Sequence, residues 1–284
     1  MDLPLFQHNA LAKIDHQLQK LMSQSDALPY SPLFFAARYS LLSSGKRLRP
    51  LLVLAVCESY GIDLAHALVP ACALEMIHTY SLIHDDLPCM DDDDVRRGQP
   101  SLHKVYPEWH ALLTGDFLLT YPFEILTDAP HLDAEQKLSL IRSLSSHAGA
   151  HGMIGGQMID LLSEGESIDW SRLEQMHLGK TAGLITAALE FGGIISHASP
   201  EELASLQKAG SAIGIAFQII DDILDVTDDE IRSDKATAVS LLGIEAAEAK
   251  AHLLLQTAKE SLKTLSHPQP LLTRLFDRMI IRKN

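Results

Sequence analysis

The run Phe217-Gln218-Ile219-Ile220-Asp221-Asp222-Ile223-Leu224-Asp225 puts Asp221 and Asp225 four positions apart in an otherwise apolar stretch that also includes Ile213 and Ile215. Positions i and i+4 share a helix face, so two carboxylates point together from an apolar helix, inward or into a cleft. Buried like charges at one-turn spacing are costly unless something positive offsets them. The stretch reads as part of a long helix predicted over residues 200–227 and opened by Ser199-Pro200, with an acidic face suited to a cation. The alternative is a solvated surface face, and the apolar surroundings speak against it.

The helical period continues through nearly the whole chain. Helices are predicted over residues 3–24, 31–43, 50–60, 64–87, 108–127, 133–148, 149–163, 169–193, 200–227, 241–265 and 268–282, with stops at Gly61, Pro88 and Pro130. Alternating β-branched runs are absent and aromatic residues make up only 6%, which is poor material for sheets. A helix of about 25 residues is about 38 Å long, and long helices with wide apolar stripes pack side by side around a shared core. No linker-like stretch or fixed repeat interrupts the pattern. The expected architecture is all-α: a single domain over residues 1–284, built as a bundle of long helices around a central cleft.

Composition narrows the function. The 284 residues are 46% hydrophobic and 21% charged with 16 Gly and 13 Pro, which excludes disordered, collagen-like and low-complexity chains. With 23 Lys and Arg against 37 Asp and Glu the net charge is −14, so a nucleic-acid-binding surface is not expected. An anionic ligand would need locally concentrated cations, or metal ions, to overcome that field. Cys57, Cys72 and Cys89 are odd in number and lack CxxC spacing, as reduced thiols of a cytoplasmic protein would be. The N-terminal residues do not read as a signal peptide. Apolar runs such as residues 51–57 fall far short of the roughly 18 residues a membrane span needs, so none is expected.

A second acidic cluster precedes the first in the chain. Ser81-Leu-Ile-His-Asp85-Asp86-Leu-Pro88-Cys-Met-Asp91-Asp92-Asp93-Asp94-Val-Arg96-Arg97-Gly98 holds six Asp within ten positions. Pro88 should end a helix just after Asp86 and leave two carboxylates at its C-terminus, where the helix dipole disfavours anions. A hard divalent cation offsets such stacking, and Mg²⁺ takes carboxylate oxygens while leaving room for phosphate oxygens. Alone, the run is equally a solvated acidic loop or a structural Ca²⁺ site. Two Asp clusters facing one cleft would clamp a polyanion through several Mg²⁺ ions, and a diphosphate is the obvious ligand. Gly45-Lys46-Arg47-Leu48-Arg49-Pro50 places three cations at a predicted helix start, where phosphate is favoured and Arg binds it bidentately. Lys180-Thr181 and Lys235-Ala236-Thr237 are weaker signals that alone would read as surface, as Arg96-Arg97 would as a charge run. His78 alone would read as a core histidine.

These segments together resemble the trans-isoprenyl diphosphate synthases, which condense isopentenyl diphosphate with an allylic diphosphate. DDLPCMD and DDILD match the family's two Asp signatures in order, and GKRLRP, HTYSLIHDDLP, RRG, GGQMIDL, HLGKTAGLI and FQIIDDILDV read as family segments over residues 30–243. The resemblance implies the isoprenoid synthase fold, Mg²⁺ as cofactor and a homodimer. It implies that Asp85, Asp86, Asp91, Asp221, Asp222 and Asp225 hold Mg²⁺ against the allylic diphosphate. Arg96, Lys180 and Lys235 would contact that diphosphate. Lys46, Arg49, His78 and Arg97 would hold isopentenyl diphosphate, and Thr181 and Gln218 would face the reacting carbons.

Tyr80, with Ser81 beneath Asp85, can floor the pocket for the growing tail, as in bacterial-type farnesyl diphosphate synthases; the alternative is plain core packing. The expected product has fifteen carbons. The loop departs from the family pattern: only ten positions separate Asp225 from Lys235, the usual Gly-Lys pair is missing, and Val239 stands where a Tyr is usual. Either loop residues are missing from the sequence or the lid is truncated. Rival readings are a geranylgeranyl diphosphate synthase, a terpene cyclase, a catalytically silent subunit of a prenyl synthase, and a Ca²⁺-binding helical protein. A cyclase would not need the cations around Lys46, and a silent subunit would be expected to lose Asp residues.

Overall fold

The computed structural model describes residues 2–23, 28–227 and 236–281. Two compact units emerge, one of residues 1–54 and 63–138, the other of residues 55–62 and 139–284. Elements of the first are α1 (Leu3–Leu21), α2 (Ser31–Leu41), the start of α3 (Leu48–Ser59), α4 (Leu68–Asp85), a short antiparallel pair β1 (Val95–Arg96) and β2 (Gln99–Pro100), α5 (Leu102–Val105) and α6 (Glu108–Thr127). The second contains most of α7 (Ala134–Ala148), then α8 (Met153–Leu162), α9 (Trp170–His177), α10 (Gly183–Ile195), α11 (Pro200–Thr227), α12 (Ala238–Leu242), α13 (Ile244–Leu262) and α14 (Pro270–Ile280). The all-α expectation holds, and β1–β2 is the only sheet among the described residues.

In the first unit, α1 buries Phe6, Ala10, Ile14 and Leu18 at every fourth position, a single stripe that packs on α4. Helix α4 lies against α6 at closest range beside Gly115, where a Cβ would come within 2.0 Å of His84 Nε2. The absence of a side chain there lets the His84 ring stand 3.1 Å from the Leu112 carbonyl. Phe34 joins α2 to α6 through Phe117, with ring centroids 4.7 Å apart. These contacts fix α4, the helix that carries the first acidic motif. It ends at Asp85, with Asp86 as its C-cap residue, as Pro88 predicts.

In the second unit α10 is buried at 12 of its 13 positions. Gly210 and Gly214 of α11 face Thr186 and Ala182, where an added Cβ would lie 2.6 and 2.5 Å from their Cα atoms. Helix α13 covers α11 with Ala247, Ala251, Leu255, Ala258 and Leu262 buried. Buried Glu190 of α10 takes hydrogen bonds from Ser143 of α7 and, at 3.2 Å, His147. Residues 170–195 and 200–225 are long and apolar enough to cross a membrane by length and composition, contrary to the expectation from residue runs; 78% and 56% of their most apolar windows are buried inside the protein, so their apolar surface already has a protein partner.

Differences from the predicted helices have local causes. The predicted helix 169–193 breaks into α9, a π-turn over Leu178–Ala182 and α10. The helix predicted over 241–265 divides at Gly243, whose φ of +78° only glycine adopts without cost. The predicted 64–87 helix starts as a separate 3₁₀ turn, Leu64–His66, and 149–163 shortens to α8. The β1–β2 hairpin has two residues per strand, too few to show alternation.

One polar cluster fixes the start of α11. Glu202 accepts from Ser266 Oγ at 2.6 Å and Ser266 N at 2.9 Å, from Ser199 N at 2.9 Å and from the Tyr60 hydroxyl at 3.0 Å. Donors from Ser266, first the hydroxyl and then the backbone, bring its carboxyl down to about 2 from 4.5. A lowered carboxyl pKa adds stability that is complete above the unfolded value and is lost as pH falls through the folded one. Glu202→Gln is therefore expected to lower Tm at pH 7, with the gap to wild type closing between pH 4.5 and 2 in thermal unfolding followed by circular dichroism. A gap independent of pH would exclude this role for the carboxylate.

Candidate functional site

The cations of residues 46–49 divide by direction. Arg47, held at a φ of +46°, turns inward: Nε meets Asp15 at 3.0 Å, Nη1 meets buried Glu75 at 3.2 Å and Nη2 donates to the Ser43 carbonyl at 3.1 Å. Lys46 is exposed. Arg49, in the first turn of α3, has a buried Nε with no hydrogen-bond partner. Burial lowers its pKa to about 10, with Arg97 pushing the same way against Glu75. Arg97, at the turn of the hairpin with φ +54°, reaches His78 Nε2 at 3.3 Å; burial lowers its pKa. Burial, and then Arg49 and Arg97, hold His78 well below its ordinary pKa, so it is neutral here. Gly45 permits the convergence, because a Cβ there would meet Arg97 and Arg47 at 3.1 and 3.2 Å. Arg49, Arg97 and neutral His78 thus gather beside the internal Arg47–Glu75 pair, an arrangement suited to an anion of two or more charges.

The first acidic motif lies in the same unit. Asp85 closes α4, Asp86 follows it and Asp91 is exposed in the loop. Asp86 is buried, and its Oδ1 receives Arg96 Nε at 2.8 Å and Nη2 at 2.5 Å; burial raises its pKa, which Arg96 partly opposes. Asp86 thus holds Arg96 in place. Tyr80 is 4% exposed, and its buried hydroxyl has no partner. Burial, then Asp85, pushes the phenol to about 12. Ser81 turns its hydroxyl back to the His78 carbonyl at 2.9 Å.

In the second unit the π-turn carries Lys180 and Thr181. Gly156 of α8 lets it approach, since a Cβ there would fall 2.1 Å from Lys180 N. Lys180 Nζ pairs with Asp160 at 2.5 Å. Thr181 Oγ1 donates to Gln218 Oε1 at 2.8 Å, Gln218 Nε2 donates to Asp222 Oδ1 at 3.2 Å, and Ala238 N donates to Asp222 Oδ2 at 2.7 Å. Asp222 is buried, with a pKa raised by desolvation against the Ala238 and Gln218 donors. His177 Nε2 stands 3.8 Å away, and burial takes its pKa to about 4. Asp221 and Asp225 lie on α11, with Asp225 exposed. Lys235 and the loop 228–235 lie outside the described residues. Thr237 caps α12, accepting from Ser240 N at 3.1 Å, and Val239 lies within that helix.

Among the described residues no three His, Cys, Asp or Glu side chains converge as a ready metal cage. The donors on offer are carboxylate oxygens, which fit Mg²⁺: that ion keeps waters and takes one or two carboxylates, with substrate phosphates supplying the rest. Sequence reasoning missed Glu75, Asp160 and His177 as site components. Glu75 precedes His78 by three positions in an apolar helix, and Asp160 ends the quoted GGQMID segment, so both carried a signal as charges at helical spacing from named residues.

The cation pocket separates stability from binding. Glu75→Gln removes the carboxylate from a buried pair and is expected to cost about 3 kcal/mol, read as a lower Tm. Arg97→Gln relieves like-charge crowding, so Tm should hold or rise while stabilisation by inorganic diphosphate disappears. A destabilised Arg97→Gln that still responds to diphosphate would reverse this assignment.

Comparison with known proteins agrees with this chemistry. A family model described as polyprenyl synthetase matches residues 32–264. The chain is 44% identical over 256 residues to a farnesyl diphosphate synthase of Bacillus subtilis, covering 86% of each chain. It is 43% identical over 269 residues to geranylgeranyl pyrophosphate synthase 12, chloroplastic, of Arabidopsis thaliana, covering 87% of this chain and 75% of that one. The apo structure of an FPP/GFPP synthase from Zymomonas mobilis superposes with a TM-score of 0.91 at 37% identity over 98% of both chains. With this fold, these acidic and basic motifs and these relatives, the chain belongs to the polyprenyl synthetase family and is a trans-prenyltransferase similar to the farnesyl diphosphate synthases.

Proposed function

We propose that this enzyme makes farnesyl diphosphate, condensing isopentenyl diphosphate with dimethylallyl and then geranyl diphosphate. The observation that carries the reading is the cation pocket: Arg49 and Arg97 converge beside neutral His78 with their charge poorly compensated. A diphosphate supplies what that pocket lacks, and Lys46 at its exposed edge would add a further contact. A cyclase has no use for this second diphosphate site, and a Ca²⁺-binding protein has no use for its cations.

Both Asp motifs are proposed to serve the allylic diphosphate, the first through Asp85 and Asp91 and the second through Asp221 and Asp225. Bound Mg²⁺ would stabilise negative charge on the departing diphosphate. Lys180 and Arg96, restrained by Asp160 and Asp86, would add fixed positive charge there, joined by Lys235. The allylic C–O bond breaks with its electron pair leaving on the diphosphate, and the isopentenyl double bond attacks the cation. Thr181 points its proton at Gln218, so its oxygen lone pairs are left to face that cation. Gln218 is in turn oriented by Asp222, whose carboxylate polarises the chain of dipoles. The condensed cation then loses a proton; no side chain is assigned as base, and the released diphosphate is the available acceptor.

Relatives of both product lengths have similar identity to the chain, so length is argued from Tyr80. Its ring is buried one residue before Ser81, and its hydroxyl is unsatisfied, which suits the end wall of an apolar tail pocket. Exposed Trp109, Leu112 and Leu113 at i, i+3 and i+4 of α6 support a homodimer, and the described cysteines, all free, suit the cytoplasm. The 284 residues are read as a single synthase domain.

Incubation with Mg²⁺, isopentenyl diphosphate and either allylic starter, with products read by mass spectrometry, should give a fifteen-carbon diphosphate. Tyr80→Ala should extend it by at least one five-carbon unit. A twenty-carbon wild-type product, or an unchanged length in the variant, would remove Tyr80 from the argument while keeping the reaction. No turnover by a folded chain would favour the silent-subunit reading.

A further inference from the structure

The acidic loop after the first motif carries more carboxylates than the proposed reaction uses, and residues Ser101 to Lys104 engage them one after another. Asp94 Oδ1 pairs with Lys104 Nζ at 2.6 Å, and its carbonyl accepts from Ser101 N at 3.0 Å. Asp93 Oδ2 accepts from Arg96 at 2.8 Å, and its carbonyl accepts from the Ser101 hydroxyl. Asp92 has its Oδ1 3.8 Å from His103 Nε2. That last pair is incomplete. The His103 side chain is only 4% exposed, and neither ring nitrogen has a hydrogen-bond partner. Leaving a buried polar group unsatisfied costs about 1–3 kcal/mol, which a merely packed ring of similar shape would avoid. Asp92 is itself held at a φ of +51°, in the left-handed region that Asp tolerates better than most residues with a side chain.

We propose that His103 is a positioning residue for the first Asp motif: its imidazole and the Asp92 carboxylate, within an ångström of hydrogen-bonding distance, close on each other when the motif engages a cation–diphosphate ligand. Asp91 is adjacent in the chain to Asp92, so this bond sets where the Asp91 carboxylate stands. Asp92, Asp93 and Asp94 are then handles by which the hairpin and α5 hold the loop, and metal binding falls to Asp85 and Asp91. The inference rests on the proposed diphosphate chemistry of this site and adds a residue to it.

The test compares wild type, His103→Leu and His103→Asn, using Mg²⁺ with inorganic diphosphate as the probe. In thermal unfolding without ligand, His103→Leu should match or exceed wild type, because it removes an unsatisfied buried group. The Mg²⁺ concentration giving half of the diphosphate-dependent rise in Tm should increase about tenfold, the usual scale for residues that orient metal ligands. In turnover, KM for the allylic diphosphate should rise similarly, with kcat within about threefold and KM for isopentenyl diphosphate unchanged. His103→Asn keeps a group able to bond Asp92 and should recover most of the loss. A His103→Leu chain with lower Tm and an unshifted Mg²⁺ titration would overturn the proposal, as would an Asn variant no better than Leu. A wild type that neither condenses its substrates nor responds to Mg²⁺ with diphosphate would overturn the functional reading, and this role with it.

Discussion

Glu75 is one buried carboxylate set among Arg47, Arg49 and Arg97, and the first unit is organised around that imbalance. Its attraction for Arg47 holds the turn before α3, at 3.2 Å between side chains. Its field partly supports Arg49 and Arg97 without satisfying either. Burying a charge is costly, so folding tolerates these guanidinium groups only because other contacts of the unit offset them. Under the proposed function the result is preorganisation: positive charge would already be held where a phosphate is to arrive, and little rearrangement would be needed on binding. A pocket with a matched number of carboxylates would be more stable and would bind less.

The second unit uses shape where the first uses charge. Gly156 and Gly179 allow α8 and the π-turn to approach at distances that a Cβ on either would forbid. That approach brings Lys180 to Asp160 and turns Thr181 toward Gln218. A regular helix through residues 178–182 would carry Lys180 and Thr181 on a different face, because a π-turn shifts the register of everything after it. The irregular backbone is thus a device that aims two side chains.

Much of this was legible in the sequence. The helical period of α4 and α11 and the Pro88 stop located both acidic motifs on their elements, since periodicity is a local property. The spacing of Asp85, Asp86, Asp91, Asp221, Asp222 and Asp225 pointed to a multivalent anion site. It did not distinguish carboxylates by task. Asp86 grips Arg96, and Asp222 engages Gln218 and Ala238, which depends on burial and partners distant in the chain. The π-turn was invisible because a five-residue irregularity has no period of its own, and Gly179 within it and Gly183 after it fit a closely packed regular helix as well. The hairpin was missed because two-residue strands have no period. Arg47 and Arg49 look alike in a basic run, and only the packing of Asp15 and Glu75 makes one an internal strut and leaves the other with a buried Nε that has no partner.

Asp222 joins three parts of the second unit in one carboxylate: Gln218 on its own helix, the first amide of α12, and through Gln218 the Thr181 hydroxyl. Such a chain constrains evolution as well as chemistry. A change at any one of the three side chains leaves a half-buried or buried polar group without its partner, so substitutions at Thr181, Gln218 and Asp222 are expected to couple, with the start of α12 following. Segments exchanged between related synthases would have to carry the set as a unit, even though it is spread over more than forty residues of chain.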